Sequence, residues 1–137
     1  EGPEARTLVL RAVDRAAARL TFHTDMASPK VAQIRADPRV ALHVWIPKDR
    51  LQIRIRARAT VQPGDPAIFA GLPAEARRNY GGAVPGGVPD ERQGGGDVVR
   101  FACILLEATR IDALLLDDPH RRAIFEAPDW HGRRVAP

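Results

Sequence analysis

Cysteine, lysine, aromatic residues and long apolar runs are all scarce in this chain of 137 residues. The single cysteine, Cys103, excludes an internal disulfide and fits a reducing compartment, so a cytoplasmic location is expected. Without an apolar run near 18 residues there is no membrane-crossing helix to predict. The opening Glu1-Gly2-Pro3-Glu4 has no basic segment leading into an apolar one, the mark of a signal peptide. The four histidines, at 23, 43, 120 and 131, lack metal-ligand spacing, and no metal is expected. There is no phosphate-binding Gly-rich fingerprint between a strand and a helix, and no serine in a nucleophile elbow. Cys103 stands alone within a strand pattern and reads as core.

Charged residues make up 28% of the chain and apolar ones 45%, the balance of an ordinary globular protein of one-domain size. The net charge of +4 comes almost entirely from arginine, since lysine occurs only at 30 and 48. These arginines are scattered and not interleaved with aromatics, which argues against a nucleic-acid footprint. Arginine instead suits compact recognition of phosphate, because its planar fork donates two parallel hydrogen bonds.

Most of the chain reads as strands. Residues 6–13 (RTLVLRAV) and 19–24 (RLTFHT) predict a first hairpin. Residues 39–46 and 51–61 predict a second one, closed by the loop 47–50. The stretch 51–61 (LQIRIRARATV) alternates most regularly. It sets Leu51, Ile53, Ile55, Ala57, Ala59 and Val61 against Gln52, Arg54, Arg56, Arg58 and Thr60. The three arginines of that row are expected to face outward or a dimer partner, with no chemistry assigned. Residues 98–107 and 111–116 predict two further strands, and 130–135 a closing one. Ser28-Pro29 opens a helix that Asp37-Pro38 stops, with Ser28 as its cap and Pro29 at the first helical position. Helical character recurs over 65–80 and, with Pro119 as opener, over 119–125. Residues 81–96, rich in Gly and Pro, form a loop. Hairpin-joined strands with few helices predict a mainly β, antiparallel barrel decorated by helices, in a single domain over 1–137.

One constellation carries chemistry. Arg6 and Arg11 bracket the first strand, Thr24 ends the second, and Ser28 to Lys30 open the helix. A helix start offers unpaired N–H groups and the positive dipole end to an anion, and Lys30 adds a full charge. A cap beside surface arginines accounts for the same residues without a ligand.

The segments RTLVLR (6–11), FHT (22–24), SPK (28–30), Gln52 within LQIRI and the tail HRRAIFEAPDWHGRRVAP resemble the pyridoxamine 5'-phosphate oxidase-like flavoproteins. The resemblance implies an antiparallel split β-barrel that binds FMN, and a homodimer with one FMN per subunit interface. It also implies a first strand and N-terminal helix ahead of Glu1. By this likeness Arg6 and Lys30 would hold the FMN phosphate, with Ser28 alongside. Leu8, Val9 and Leu10 would run their backbone past the isoalloxazine, and His23 and Thr24 would match a Tyr-Thr pair that contacts the cofactor. Gln52 would bond the ring edge, and Arg122, from the other subunit, would favour negative charge on the reduced flavin.

Several positions depart from the family pattern. Pro29 replaces a basic residue, Arg11 replaces a lysine that meets cofactor and substrate, and an aliphatic residue near Leu114 replaces a tryptophan. Of an Arg-Leu-His set that grips the substrate only His120 remains, with Asp118 in the arginine position. His120 is the candidate acid–base residue. Tyr80 with Arg77 or Arg78 are substitutes for the substrate tyrosine and arginine, though off-register. The expected activity is therefore hydride transfer from a small molecule to flavin N5, with vitamin B6 phosphate a poor candidate substrate. A non-catalytic flavin module, or a binder of deazaflavin or haem, occurs on the same fold. Arg6 and Lys30 favour FMN over haem, and a nucleic-acid binder would show affinity that falls steeply with salt.

Overall fold

The computed structural model describes residues 2–88 and 96–137. Residues 89–95 of the expected Gly-rich loop lie outside them. One antiparallel sheet organises the chain, from strands β1 (Leu10–Asp14), β2 (Arg19–Asp25), β3 (Arg39–Ile46), β4 (Leu51–Pro63), β5 (Phe101–Leu115), β6 (Arg121–Glu126) and β7 (Arg133–Val135). The order across the sheet is β1-β2-β5-β4-β3, with β6 also on β5 and β7 on β6. β5 is the spine. β4 runs along its whole length, while the other side takes β2 over Phe101 to Glu107 and β6 over Arg110 to Leu115.

The alternation in β4 dictates where the core sits. Ala57 and Ala59 are buried and join Phe22, Ile104 and Leu106, with Leu20, Ile34, Val40, Leu42 and Val61 packed around them. The intervening Arg54, Arg56 and Arg58 are exposed, as their place on the opposite face requires. A second cluster, Phe69, Tyr80 and Phe101, holds the helices α2 (Pro66–Gly71) and α3 (Ala74–Arg77) against the start of β5. Helix α1 (Pro29–Ala36) lies where the sequence placed it, burying Val31.

Three expectations are corrected. The first strand begins at Leu10 instead of Arg6: its ladder with β2 carries a bulge between Leu10 and Ala12 and stops at the Leu10–Phe22 pair, leaving 6–9 without a strand partner. The two strands expected over 98–107 and 111–116 are one 15-residue strand. No turn residue interrupts Ala108-Thr109, and the extra residue is absorbed as a bulge opposite Arg56/Ala57. Residues 98–100 are instead a 3-10 turn, capped where Asp97 accepts from the Val99 N–H at 2.9 Å. The helix expected over 119–125 is strand β6: pairing with β5 on one side and β7 on the other outweighs the local signal of Pro119. The helical character expected around 67–69 and 75–78 is found there as α2 and α3, separated at Pro73, which cannot continue a helix begun at Pro66.

Candidate functional site

β2 runs directly into α1, and the junction gathers polar side chains that would otherwise face solvent. Thr24, Asp25 and Ser28 are all buried there. Ser28 is the N-cap residue, yet its side chain makes no cap bond. Its hydroxyl lies instead 2.5 Å from Lys30 Nζ, which also donates to Thr24 Oγ1 at 3.2 Å. The first turn of α1 is thus left without a side-chain cap, with Pro29 lacking an N–H and the Val31 N–H donating to the Ser28 carbonyl at 2.9 Å. Arg6 reaches this corner from the N-terminal segment, donating to Gln33 Oε1 of α1 at 2.9 Å and pairing with Glu4. Burial lowers the Lys30 ammonium below its ordinary value, and the Arg6 guanidinium lowers it further, against the pull of Asp25. Two cations and an uncapped helix start converge, and their mutual repulsion is relieved by an anion with several acceptor oxygens.

Asp25, which the sequence reading passed over, fixes this corner. It takes a bidentate pair from Arg100, Nε–Oδ1 2.7 Å and Nη2–Oδ2 2.8 Å. It also accepts from the Ala27 N–H at 2.7 Å and the Gly81 N–H at 3.3 Å. The only sequence signal was an aspartate immediately after a strand.

The neighbouring His23 lies on the Asp25 side of β2, two residues away, while Thr24 between them faces the other way. Its ring stands edge-on to Phe101 with centroids 4.8 Å apart, and its Nδ1 is buried without a hydrogen-bond partner among the described residues. Burial, then the Arg11 guanidinium, hold His23 below the ordinary histidine range. Burial raises the Tyr80 phenol while Arg11 opposes it, so Arg11, His23 and Tyr80 share a neighbourhood. Leu8, Val9 and Leu10 are exposed at 36%, 60% and 48%, along the uncovered edge of the sheet.

Gln52 and Arg122 are brought together elsewhere. Trp45 pairs with Gln52, Gln52 with Leu114, and Leu114 with Arg122, so the four form one row on one face across β3, β4, β5 and β6. Gln52 and Arg122 sit two strands apart, roughly 10 Å. Beside them Asp112, only 7% exposed, receives Arg122 Nε at 2.9 Å and Nη2 at 2.8 Å, and Arg54 Nη2 at 2.7 Å. Arg54, to which no chemistry was assigned, is therefore part of this network.

The row is remote from the anion corner. Thr24 pairs with Ala102 near the start of β5, whereas Gln52 and Arg122 both pair with Leu114, twelve residues on. That is about 40 Å of strand path. His120 lies apart from the anion corner but near Arg122. It is exposed and lines a cavity of about 390 Å³ with Leu51, Ala113, Leu115, Arg121, Arg122 and Ala123.

The arginines hold the Asp112 carboxyl below the ordinary carboxylate range, with the Arg122 hydrogen bonds the largest cause. A depressed folded value means that this stability is present above the unfolded value near 4 and is lost as pH falls through the folded one. Acid titration of the protein followed by circular dichroism should therefore show a loss of stability below about pH 4 that Asp112→Asn lacks. Identical acid profiles would show that the network contributes nothing.

Among the described residues no helix is long and apolar enough to cross a membrane, and no group of three His, Cys, Asp or Glu side chains could hold a metal. Residues 1–63 match the family model of the pyridoxamine 5'-phosphate oxidase FMN-binding domain. No curated protein matches the sequence. Among solved structures, the chain is similar to a pyridoxamine 5'-phosphate oxidase-related, FMN binding protein from Nostoc punctiforme, with 26% identity and a TM-score of 0.82 over 96% of this chain and 80% of that one. It shares its fold with PhzG from Burkholderia lata, solved in complex with tetrahydrophenazine-1-carboxylic acid, at 15% identity and a TM-score of 0.72 over 98% and 75% of the two chains.

Proposed function

We propose that this chain, which matches the pyridoxamine 5'-phosphate oxidase FMN-binding domain model over residues 1–63 and is similar in fold to an FMN binding protein related to that oxidase, is a homodimeric FMN-dependent oxidoreductase acting on a small molecule. The observation that carries the reading is the anion corner. Lys30, Arg6, the buried Ser28 hydroxyl and the uncapped start of α1 supply what an FMN phosphate needs, charge-assisted donors from several directions. When bound, FMN supplies a two-electron acceptor at N5, and the protein supplies position and charge.

The distance between the corner and the Gln52–Arg122 row supports the dimer. One flavin nucleotide is far shorter than the strand path between them, so a corner on one copy would meet Gln52 and Arg122 of a second. The sheet edge bearing Val9, Leu10 and Val13 and the outer positions Val44 and Trp45 leave apolar area for such a contact. Both ring contacts, and not Arg122 alone, would then be made in trans. Within each copy, Lys30 and Arg6 bind the phosphate, the 8–10 backbone follows the ring, and Gln52 and Arg122 of the second copy orient its edge.

His120 is placed weakly for acid–base work, being exposed at the rim of the cavity that Arg122 also lines. That observation favours a second reading, a flavin-binding module without turnover.

Mixing tests the reading. A Lys30→Ala/Arg6→Ala chain and a Gln52→Ala/Arg122→Ala chain should each bind FMN poorly. Co-refolded, they should regain up to one intact site per heterodimer, seen as recovered flavin absorbance in a dimer-sized fraction. Mixtures no yellower than either parent would contradict sharing between copies. Oxidation of a panel of small reductants by the loaded protein then separates enzyme from module.

A further inference from the structure

We propose that Asp112, braced by Arg54, is a positioning and charge-setting residue for Arg122, and through it tunes how strongly the protein favours reduced over oxidised FMN. This rests on the reading that Arg122 meets the flavin. Three facts carry it. The Asp112 carboxylate is buried in a sheet face, and both of its oxygens are taken by Arg122 in a fork-to-fork pair. A buried carboxylate is costly unless it is fully paired, and here it accepts a third charged hydrogen bond, from Arg54 at 2.7 Å. Its location is set by register: Asp112 pairs with Arg54 on β4 and stands diagonal to Arg122, next to the row that contains Gln52.

The consequence is geometric and electrostatic. Bidentate pairing fixes the plane of the Arg122 guanidinium, which a free arginine would leave to its rotamers. The three charges together leave a net of one positive charge on this patch. A bare Arg122 would present a stronger field to a flavin that gains negative charge on reduction. Asp112 thus holds that field below its limit, while Arg54 restores part of it.

The test uses FMN-loaded protein and reads the midpoint potential together with the affinity for oxidised FMN. Asp112→Asn keeps the shape and removes the charge. It should favour reduced FMN by roughly tenfold over the wild type, moving the potential upward. Arg54→Gln, an exposed substitution that leaves the bidentate pair in place, should move the potential downward. A role confined to stability predicts neither shift, only a weaker fold. If Arg122→Ala changes the potential but the other two variants do not, Asp112 is merely structural and the proposal is overturned. If Arg122→Ala alters neither the potential nor FMN affinity, the placement of Arg122 at the flavin fails, and that result is distinct from the first.

Discussion

Replacing Arg6 and Lys30 together by alanine is expected to weaken FMN binding by roughly two to four orders of magnitude while leaving the affinity for riboflavin unchanged. Each lost charge-assisted contact costs about 1.5 to 3 kcal/mol, and every 1.4 kcal/mol is a factor of ten. The two side chains share one corner, so their effects couple and the double variant falls short of, or exceeds, the simple product. Lys30 should contribute more. It is held between Thr24 and Ser28 and is partly desolvated, whereas Arg6 arrives on the N-terminal segment and is already engaged by Glu4 and Gln33. Riboflavin is the control because it carries the same ring without the phosphate. Titration of apoprotein with either flavin, read by fluorescence quenching, measures the difference. Equal losses for FMN and riboflavin would mean that the fold was damaged or that the phosphate lies elsewhere.

The second large effect is expected at Asp25. Asp25→Ala removes the partner of a bidentate arginine and strands two backbone donors, Ala27 N–H and Gly81 N–H. Breaking a buried pair from one side leaves an uncompensated charge, a loss of about 3 to 5 kcal/mol when burial is complete. The Arg100 side chain keeps 21% of its exposure and can regain some water, which brings the expectation to about 3 kcal/mol. Asp25→Asn should cost less, since its amide oxygen still accepts. Urea unfolding measures both variants. A cost below about 1 kcal/mol for alanine would show that Asp25 does not hold the β2–α1 junction to the segment that begins at Gly81. A large loss with FMN affinity unchanged in the remaining folded protein would separate this clamp from the anion corner.

Both effects belong to a fold that was readable wherever the pattern had period two. The alternation over 51–61 placed Ala57 and Ala59 in the core and the arginines outside, and the Ser28-Pro29 signal placed α1. Local signals failed where pairing decided. Pro119 suggested a helix, but residues 121–126 fill the place beside the far half of β5. Residues 6–9 have strand composition yet lack a ladder partner. The polar networks were unreadable for a related reason. Asp25 meets Arg100 across 75 positions of sequence and Arg54 meets Asp112 across 58, contacts that exist only once the register of β5 is known. The family resemblance pointed to Lys30, Arg6, Gln52 and Arg122 as cofactor contacts without revealing that two of them lie on one corner and two at the far end of the spine.

A crystal structure of the FMN-loaded protein tests the central claim most directly. The account predicts a phosphate oxygen within hydrogen-bonding reach of Lys30 Nζ and Ser28 Oγ on one chain, with Gln52 and Arg122 reaching the same ring from the other. A flavin seated in the cavity beside His120, with the start of α1 open to solvent, would contradict it.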